Sequence, residues 1–216
     1  PAVELTEAQA HFFLPRRYSD PFGQNAFIDF DAYDLLMLET RDPLGNRVTV
    51  GEREHILPDG TVLPAKPGND YRTLQPWQVM DPNRNRTRMA FDILGMVVGT
   101  AVMGKPEGTL GDSLAGFIPD LSEAVALNHL TNPLADPHAI LGRATTRLVY
   151  DLFAYYRTKD QPDPQPAVVY TLARESHDAD LEPGQQTKVQ HSFFYSDGFG
   201  REIQRKIQAE PGPLVA

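Results

Sequence analysis

Six histidines, His11, His55, His129, His138, His177 and His191, are the natural starting point for chemistry in this chain. Imidazole is a common metal ligand and the usual proton carrier near neutral pH. No two of them stand in the HExxH spacing that sets two ligands on one helix face. His129 and His138 flank the end of a short helical stretch, and His191 falls on an apolar strand face, so each reads as a structural histidine. Asp178 and Asp180, with Glu182 nearby, have an oxygen-rich spacing suited to Ca²⁺. They lack the central glycine and terminal glutamate of a calcium loop, so they read as a polar loop. Glu175, Asp178 and Asp180 would serve a hydrolase if two of them faced each other across a substrate, which sequence alone does not show. Ser113, in Gly111-Asp112-Ser113-Leu114-Ala115-Gly116, misses the Gly-x-Ser-x-Gly elbow by one residue and has no strand before it. Gly104-Lys105 follows no phosphate-loop pattern. Trp77 is a candidate sugar platform, but beside Pro76 and Val79 it reads as a core anchor or strand-end plug. The expectation is a chain with no catalytic residue, no cofactor and no metal.

Composition narrows the class. The chain has 216 residues with a formal charge of −9, which argues against a nucleic-acid footprint. There is no cysteine, hence no disulfide, thiolate site or thiol nucleophile. No apolar run is long enough to span a bilayer; the longest, near Met96 to Met103, is broken by Gly99 and Thr100. No signal peptide is visible. The start at Pro1 and the close at Pro211 to Ala216 lead us to expect a fragment of a longer protein. The 19 prolines and 16 glycines suit a turn-rich β protein.

The elements that would position these residues are set by a returning turn signature. Asp20-Pro21-Phe22-Gly23, Asp42-Pro43-Leu44-Gly45-Asn46 and Asp81-Pro82-Asn83-Arg84-Asn85 share one grammar. Asp92-Ile93-Leu94-Gly95 and Asp197-Gly198-Phe199-Gly200 are related. Each lies between stretches that alternate apolar and polar residues, which is the mark of half-buried strands joined by hairpins. Strands are expected around 26–31, 35–40, 48–50, 74–80, 86–91, 96–102, 145–151, 168–173, 189–195 and 202–207. The last two form the clearest hairpin, its second strand read from the alternation of Ile203, Arg205 and Ile207 with Glu202, Gln204 and Lys206. Arg86, Arg88, Glu202, Arg205 and Lys206 fall on outward positions, either lining a wall or facing solvent.

Two regions break the rhythm. Residues 51–69 contain a Pro58-Asp59-Gly60 turn and a loop from Pro64 to Asn69. Residues 105–142 predict a short helix from Asp120 to Leu130, capped by Asp120 or Ser122, and one more helical turn from Pro137 to Leu141. The expected organisation is a β-hairpin repeat region over 1–104, a helical insertion over 105–142 and a second hairpin region over 143–216, together one structural unit. The fold class is mainly β, a sheet of repeated antiparallel hairpins.

The unit resembles the tyrosine-aspartate, or Rhs, repeats of large secreted bacterial proteins. The residues that carry this are Phe30-Asp31-Ala32-Tyr33-Asp34-Leu35-Leu36 through Asn46, Met80-Asp81-Pro82-Asn83 through Met96, and Tyr195-Ser196-Asp197-Gly198-Phe199-Gly200-Arg201-Glu202. Longer phrases are similar to the B component of insecticidal toxin complexes: Asn69-Asp70-Tyr71-Arg72-Thr73-Leu74-Gln75-Pro76-Trp77, Ala90 through Ala101, and Tyr195 to Pro213. That resemblance implies a secreted, non-enzymatic segment of a hollow β-shell that holds a cytotoxic polypeptide. It implies, as partners, other parts of the shell and a C-type component or cargo, with no nucleic acid and no direct membrane insertion. The pattern departs at Arg84, which stands where glycine is expected. An exported adhesion or carbohydrate-binding β module is the alternative, and a hydrolase with acids on the loops at 51–69 and 160–186 a third.

Overall fold

A computed structural model describes residues 2–210 and 212. The phrase from Tyr195 to Pro213 therefore passes beyond the described residues at Pro211 and Pro213, as does the expectation built on 213–216. The chain divides into two compact units. One comprises residues 1–89 and 103–109, the other 90–102 and 110–216.

The first unit opens with a helix the sequence reading left out, α1 (Ala2–Ala10). Its Ala, Glu, Leu and Gln are strong helix formers. Phe12 and Phe13 then turn the chain with φ of 54° and 59° and stay exposed. Strands follow as β1 (Arg17–Ser19), β2 (Asn25–Phe30), β3 (Met37–Arg41) and β4 (Arg47–Val50), each pairing antiparallel with the next. Residues 51–77 leave the sheet and return. They hold two small hairpins, β5 (His55–Ile56) with β6 (Val62–Leu63), and β7 (Asn69–Asp70) with β8 (Gln75–Pro76).

The excursion closes on two glycines. The Gly51 N–H donates to the Gln78 carbonyl at 2.8 Å, and Trp77 N–H to the Gly68 carbonyl at 2.7 Å. A Cβ on Gly68 would lie 2.2 Å from the Gly51 nitrogen, so only glycine lets these backbones approach. The strand β9 (Gln78–Met80) can then pair with β4, and β10 (Arg86–Phe91) with β9.

The second unit carries β11 (Val97–Met103), α2 (Glu123–Thr131), α3 (Pro137–Leu141), β12 (Thr146–Asp151), α4 (Ala154–Thr158), β13 (Ala167–Arg174), a 3₁₀ turn at Asp178–Asp180, β14 (Val189–Ser196) and β15 (Glu202–Ile207). Here β11 pairs with β12, β12 with β13, β13 with β14 and β14 with β15, all antiparallel. The main sheet runs β1-β2-β3-β4-β9-β10-β11-β12-β13-β14-β15, a meander in which sequence order is spatial order apart from the excursion. The expected mainly β, hairpin-built class is what the structure has.

Along β13 burial alternates strictly, with Val168, Tyr170 and Leu172 buried and the residues between them half-buried. Helices α2 and α3, inserted between the paired strands β11 and β12, cover that face. Ile140, Leu141, Ala144, Val149, Tyr170 and Leu172 form the core, with Leu114, Phe117, Leu121, Leu130 and Phe193 packed against it. Ser122 is the N-cap of α2, accepting from Val125 N–H. Asp120 instead accepts from the Ile93 N–H at 2.8 Å. Asp136 caps α3, with Pro137 at the first helical position.

Three expectations need correction. Arg86 is not outward: it is 8% exposed and bonded inside the first unit. The alternation of Ile203, Arg205 and Ile207 with Glu202, Gln204 and Lys206 does not separate a buried face from an exposed one, because β15 ends the strand order and is exposed at every position. Asp31 is not a strand residue but opens a further turn, described next.

Candidate functional site: aspartate turns and buried ion clusters

The aspartate of each repeated turn does the same work. Asp42 Oδ1 accepts from the N–H groups of Leu44 and Asn46 at 2.9 and 2.8 Å. The Gly45 N–H donates to the Asp42 carbonyl, and the Asp42 N–H to the Asn46 carbonyl, closing the loop. Asp20 repeats this with Phe22 and Gln24, and Asp197 with Phe199 and Arg201. Asp81 and Asp92 accept from the N–H four residues on, Asn85 and Met96. Short carboxylates suit this because they reach backbone donors two to four residues ahead.

Position four of each turn then needs positive φ. Gly23, Gly45, Gly95 and Gly200 adopt 80°, 84°, 83° and 79°; in the last turn Gly198, at position two, is also positive at 84°. Pro21, Pro43 and Pro82 hold the second position, where fixed φ suits a turn. Arg84 keeps the same geometry with φ 72° in place of glycine, while its guanidinium forks onto Glu107 at 2.6 and 2.8 Å. Asp31 heads a turn of the same kind, accepting from Tyr33 and Leu35 N–H, with Asp34 at φ 54°. Its signal in the sequence was the second aspartate three residues on, since Asp tolerates the left-handed region better than most residues.

Electrostatics reinforce three of these turns, those of Asp31, Asp42 and Asp197. The Asn46 side-chain amide and then the backbone N–H groups hold the Asp42 carboxyl below its ordinary range. At Asp197 the Phe199 N–H leads the same downward shift.

Each unit also encloses an ion cluster. In the first, Glu52 is 4% exposed and accepts from Lys66, Arg86 and Gln78 at 2.8, 3.0 and 3.2 Å. Burial pushes its carboxyl up, but these donors outweigh it and bring it below the usual range. Arg86 donates further to the Gly104 and Lys105 carbonyls. The Gly104-Lys105 pair thus serves as an anchor for an arginine.

In the second unit the side chain of Asp112 is wholly buried. It accepts from Thr145, from Asp178 N–H at 2.7 Å, from Arg174 at 3.2 Å, and pairs with His177 at 3.0 Å. Burial raises its carboxyl, and those hydrogen bonds more than reverse the effect. Sequence reasoning considered neighbouring Ser113 and passed over Asp112. A lone aspartate carries no spacing signal, and its partners are 33 to 66 residues away.

The structure scatters the remaining candidates. Asp178 is tied to Arg143 at 2.5 Å and faces Arg174, Asp180 is exposed, and Glu175 lies 3.5 Å from the Gln190 amide. Ser113 Oγ accepts from the Ala115 N–H. Trp77 is half-buried with Arg88 over its ring at 5.3 Å. His191 is buried and its Nδ1 meets the Tyr170 hydroxyl at 2.6 Å; His129 is buried in the last turn of α2. His11 pairs with Asp34, while His55 sits on β5 and His138 on α3. Among the described residues no group of three or more His, Asp and Glu is placed to hold a metal ion. No helix there is long and apolar enough to cross a membrane.

This arrangement of consecutive hairpins recurs in known structures. TcdB2-TccC3 aligns over 91% of the chain with a TM-score of 0.62 and 23% identity. The chain shares its fold with a part of TcdB2-TccC3. A structure of TcdB2-TccC3-Cdc42 aligns over 94% with a TM-score of 0.63 and 20% identity. The Photorhabdus luminescens Tc holotoxin pore aligns over 93% at 0.61 and 19%. The chain spans only 8% of the length of the TcdB2-TccC3 chain, and 11% and 10% of the other two. No family model matches the chain, and no curated protein does.

Proposed function

We propose that this chain is a length of wall in a secreted toxin-complex shell, working by enclosure and assembly rather than by catalysis. The observation that carries the reading is the meander itself. Eleven strands follow one another almost without crossing, most hairpins are closed by the same aspartate turn, and the arrangement aligns with TcdB2-TccC3 over nearly the whole chain. A sheet built this way grows by adding hairpins, each pairing with the last, so enclosed area scales with repeat number. The buried ion clusters pin loops to the sheet, which supports a scaffolding role. Trp77, covered by Arg88, offers little open ring for a sugar, which weighs against a carbohydrate-binding module. The partners on this reading are the rest of the shell and a C-type component or cargo; the charge of −9 disfavours nucleic acid.

A chimera tests it. This chain replaces the aligned segment of TcdB2-TccC3, and protease protection of an enclosed polypeptide is measured. Assembly with protection equal to the parent supports the reading. A chimera whose separate pieces fold but whose cargo is digested refutes it.

A further inference from the structure

We propose that the second unit binds a small primary ammonium ion, with Nε2 of His191 as one of its hydrogen-bond acceptors. The inference does not rest on the shell reading. The paired register of β14 and β15 begins at Ser192 and Ile207, so Val189, Gln190 and His191 precede it on β14. Beside them lies an open cavity of about 660 Å³, lined in part by His138 of α3, Glu175, Lys188, His191 and Glu210. That volume falls in the range of small-molecule sites.

A proton count fixes what His191 offers. The Tyr170 hydroxyl has one proton and two neighbours, the Pro133 carbonyl at 3.2 Å and His191 Nδ1 at 2.6 Å. A carbonyl only accepts, so the hydroxyl proton points at Pro133 and Nδ1–H donates to the hydroxyl oxygen. Burial, and after it the neighbouring His138, keeps the ring neutral near neutral pH. Nε2 is then a bare lone pair. The ring is 6% exposed, and Nε2 has no hydrogen-bond partner among the described residues. The side-chain polar atoms sealed from solvent without a partner there are on Arg16, Arg84, His129 and Arg147, so Nε2 keeps an opening. The lining around it is rich in acceptors. Two carboxylates and two imidazoles stand against one cation, Lys188. Glu175 is exposed, and the group beside its carboxylate is the neutral Gln190 amide at 3.5 Å. Among the described residues no three of these acids and imidazoles are placed to hold a metal ion. A primary ammonium brings three N–H donors and a positive charge, which suits a fixed lone pair beside carboxylates.

Long-range proton–nitrogen NMR of the whole chain, slightly above neutral pH, reads the tautomer and then follows a titration with butylammonium chloride. His191 is expected to show a protonated Nδ1 and a bare Nε2, and the Nε2 signal to move as butylammonium saturates in the millimolar range. Butyltrimethylammonium, with the same charge and no N–H, is expected to bind at least about tenfold more weakly. His191→Phe abolishes that preference. Glu175→Gln, at an exposed position, is expected to weaken butylammonium about threefold and is the decisive variant if His191→Phe does not fold. A proton on Nε2 in the free chain, equal binding of the two cations, or absence of saturable butylammonium binding would each overturn the proposal. So would a preference that survives His191→Phe, or a Glu175→Gln affinity equal to the parent's.

Discussion

Single residues carry much of the architecture here, and they do so through backbone hydrogen bonds rather than packing. Asp42→Ala strips acceptors from two N–H groups and is expected to cost about 1 kcal/mol. Asp42→Asn keeps one carbonyl oxygen in place and should cost less, an order that urea unfolding of the two variants will read. Gly200 sits at φ 79°, so Gly200→Val is expected to lose about 1–3 kcal/mol, seen as a lower thermal midpoint. Gly68→Ala is harsher. Its Cβ meets backbone, not a movable side chain, and the loss should exceed about 3 kcal/mol in the same unfolding assay. The Asp-Pro and Asp-Gly turns were legible because a four-residue motif holds both the acceptor and the positive-φ position. Gly51 and Gly68 were not, because their closeness depends on chain 17 residues apart folding back.

At the scale of elements, strand existence followed from alternation, and strand environment did not. The period of two marks β10 and β15 equally well. Yet Arg86 on β10 is buried because Glu52 arrives from the excursion, and Ile203 on β15 is exposed because nothing covers it. Helices α2 and α3 announced themselves through caps and a following proline, whereas α1 and α4 lacked a strong apolar period and escaped notice. The β13–β14 pair also stores a pH response. Burial, helped by nearby His138, holds the His191 imidazole below its ordinary value of 6.5, so the folded state keeps it neutral. The unfolded chain then binds more protons, and stability must fall as pH drops below 6.5 until the folded value is passed. The second unit should therefore show an unfolding midpoint that declines as pH falls below the ordinary value of 6.5, and His191→Gln should flatten that slope. Asp112 and Glu52 act lower down. Both carboxyls are depressed in the fold, so their contribution is full above the unfolded values and disappears on further acidification.

For the whole molecule, the strand order matters more than any site. Among the described residues β15 closes the order, with Ile203 and Ile207 more than half exposed and no strand on its far side. Unpaired edges of this kind recruit other strands. Sedimentation of the isolated chain should show concentration-dependent association, and Ile203→Lys with Ile207→Lys should reduce it. A monomer unaffected by both changes would count against an active edge.

The residue order by itself determined the hairpins, their turn chemistry, the helical insertion and the mainly β class. All of these depend on neighbours within a few positions, where spacing and side-chain reach are enough. Only the tertiary structure decided which charges are buried, which strand faces are covered, and that Asp112 and Glu52 occupy the interior. Those outcomes depend on groups brought together across tens of residues, and a buried charge is tolerated only where such distant partners happen to meet it.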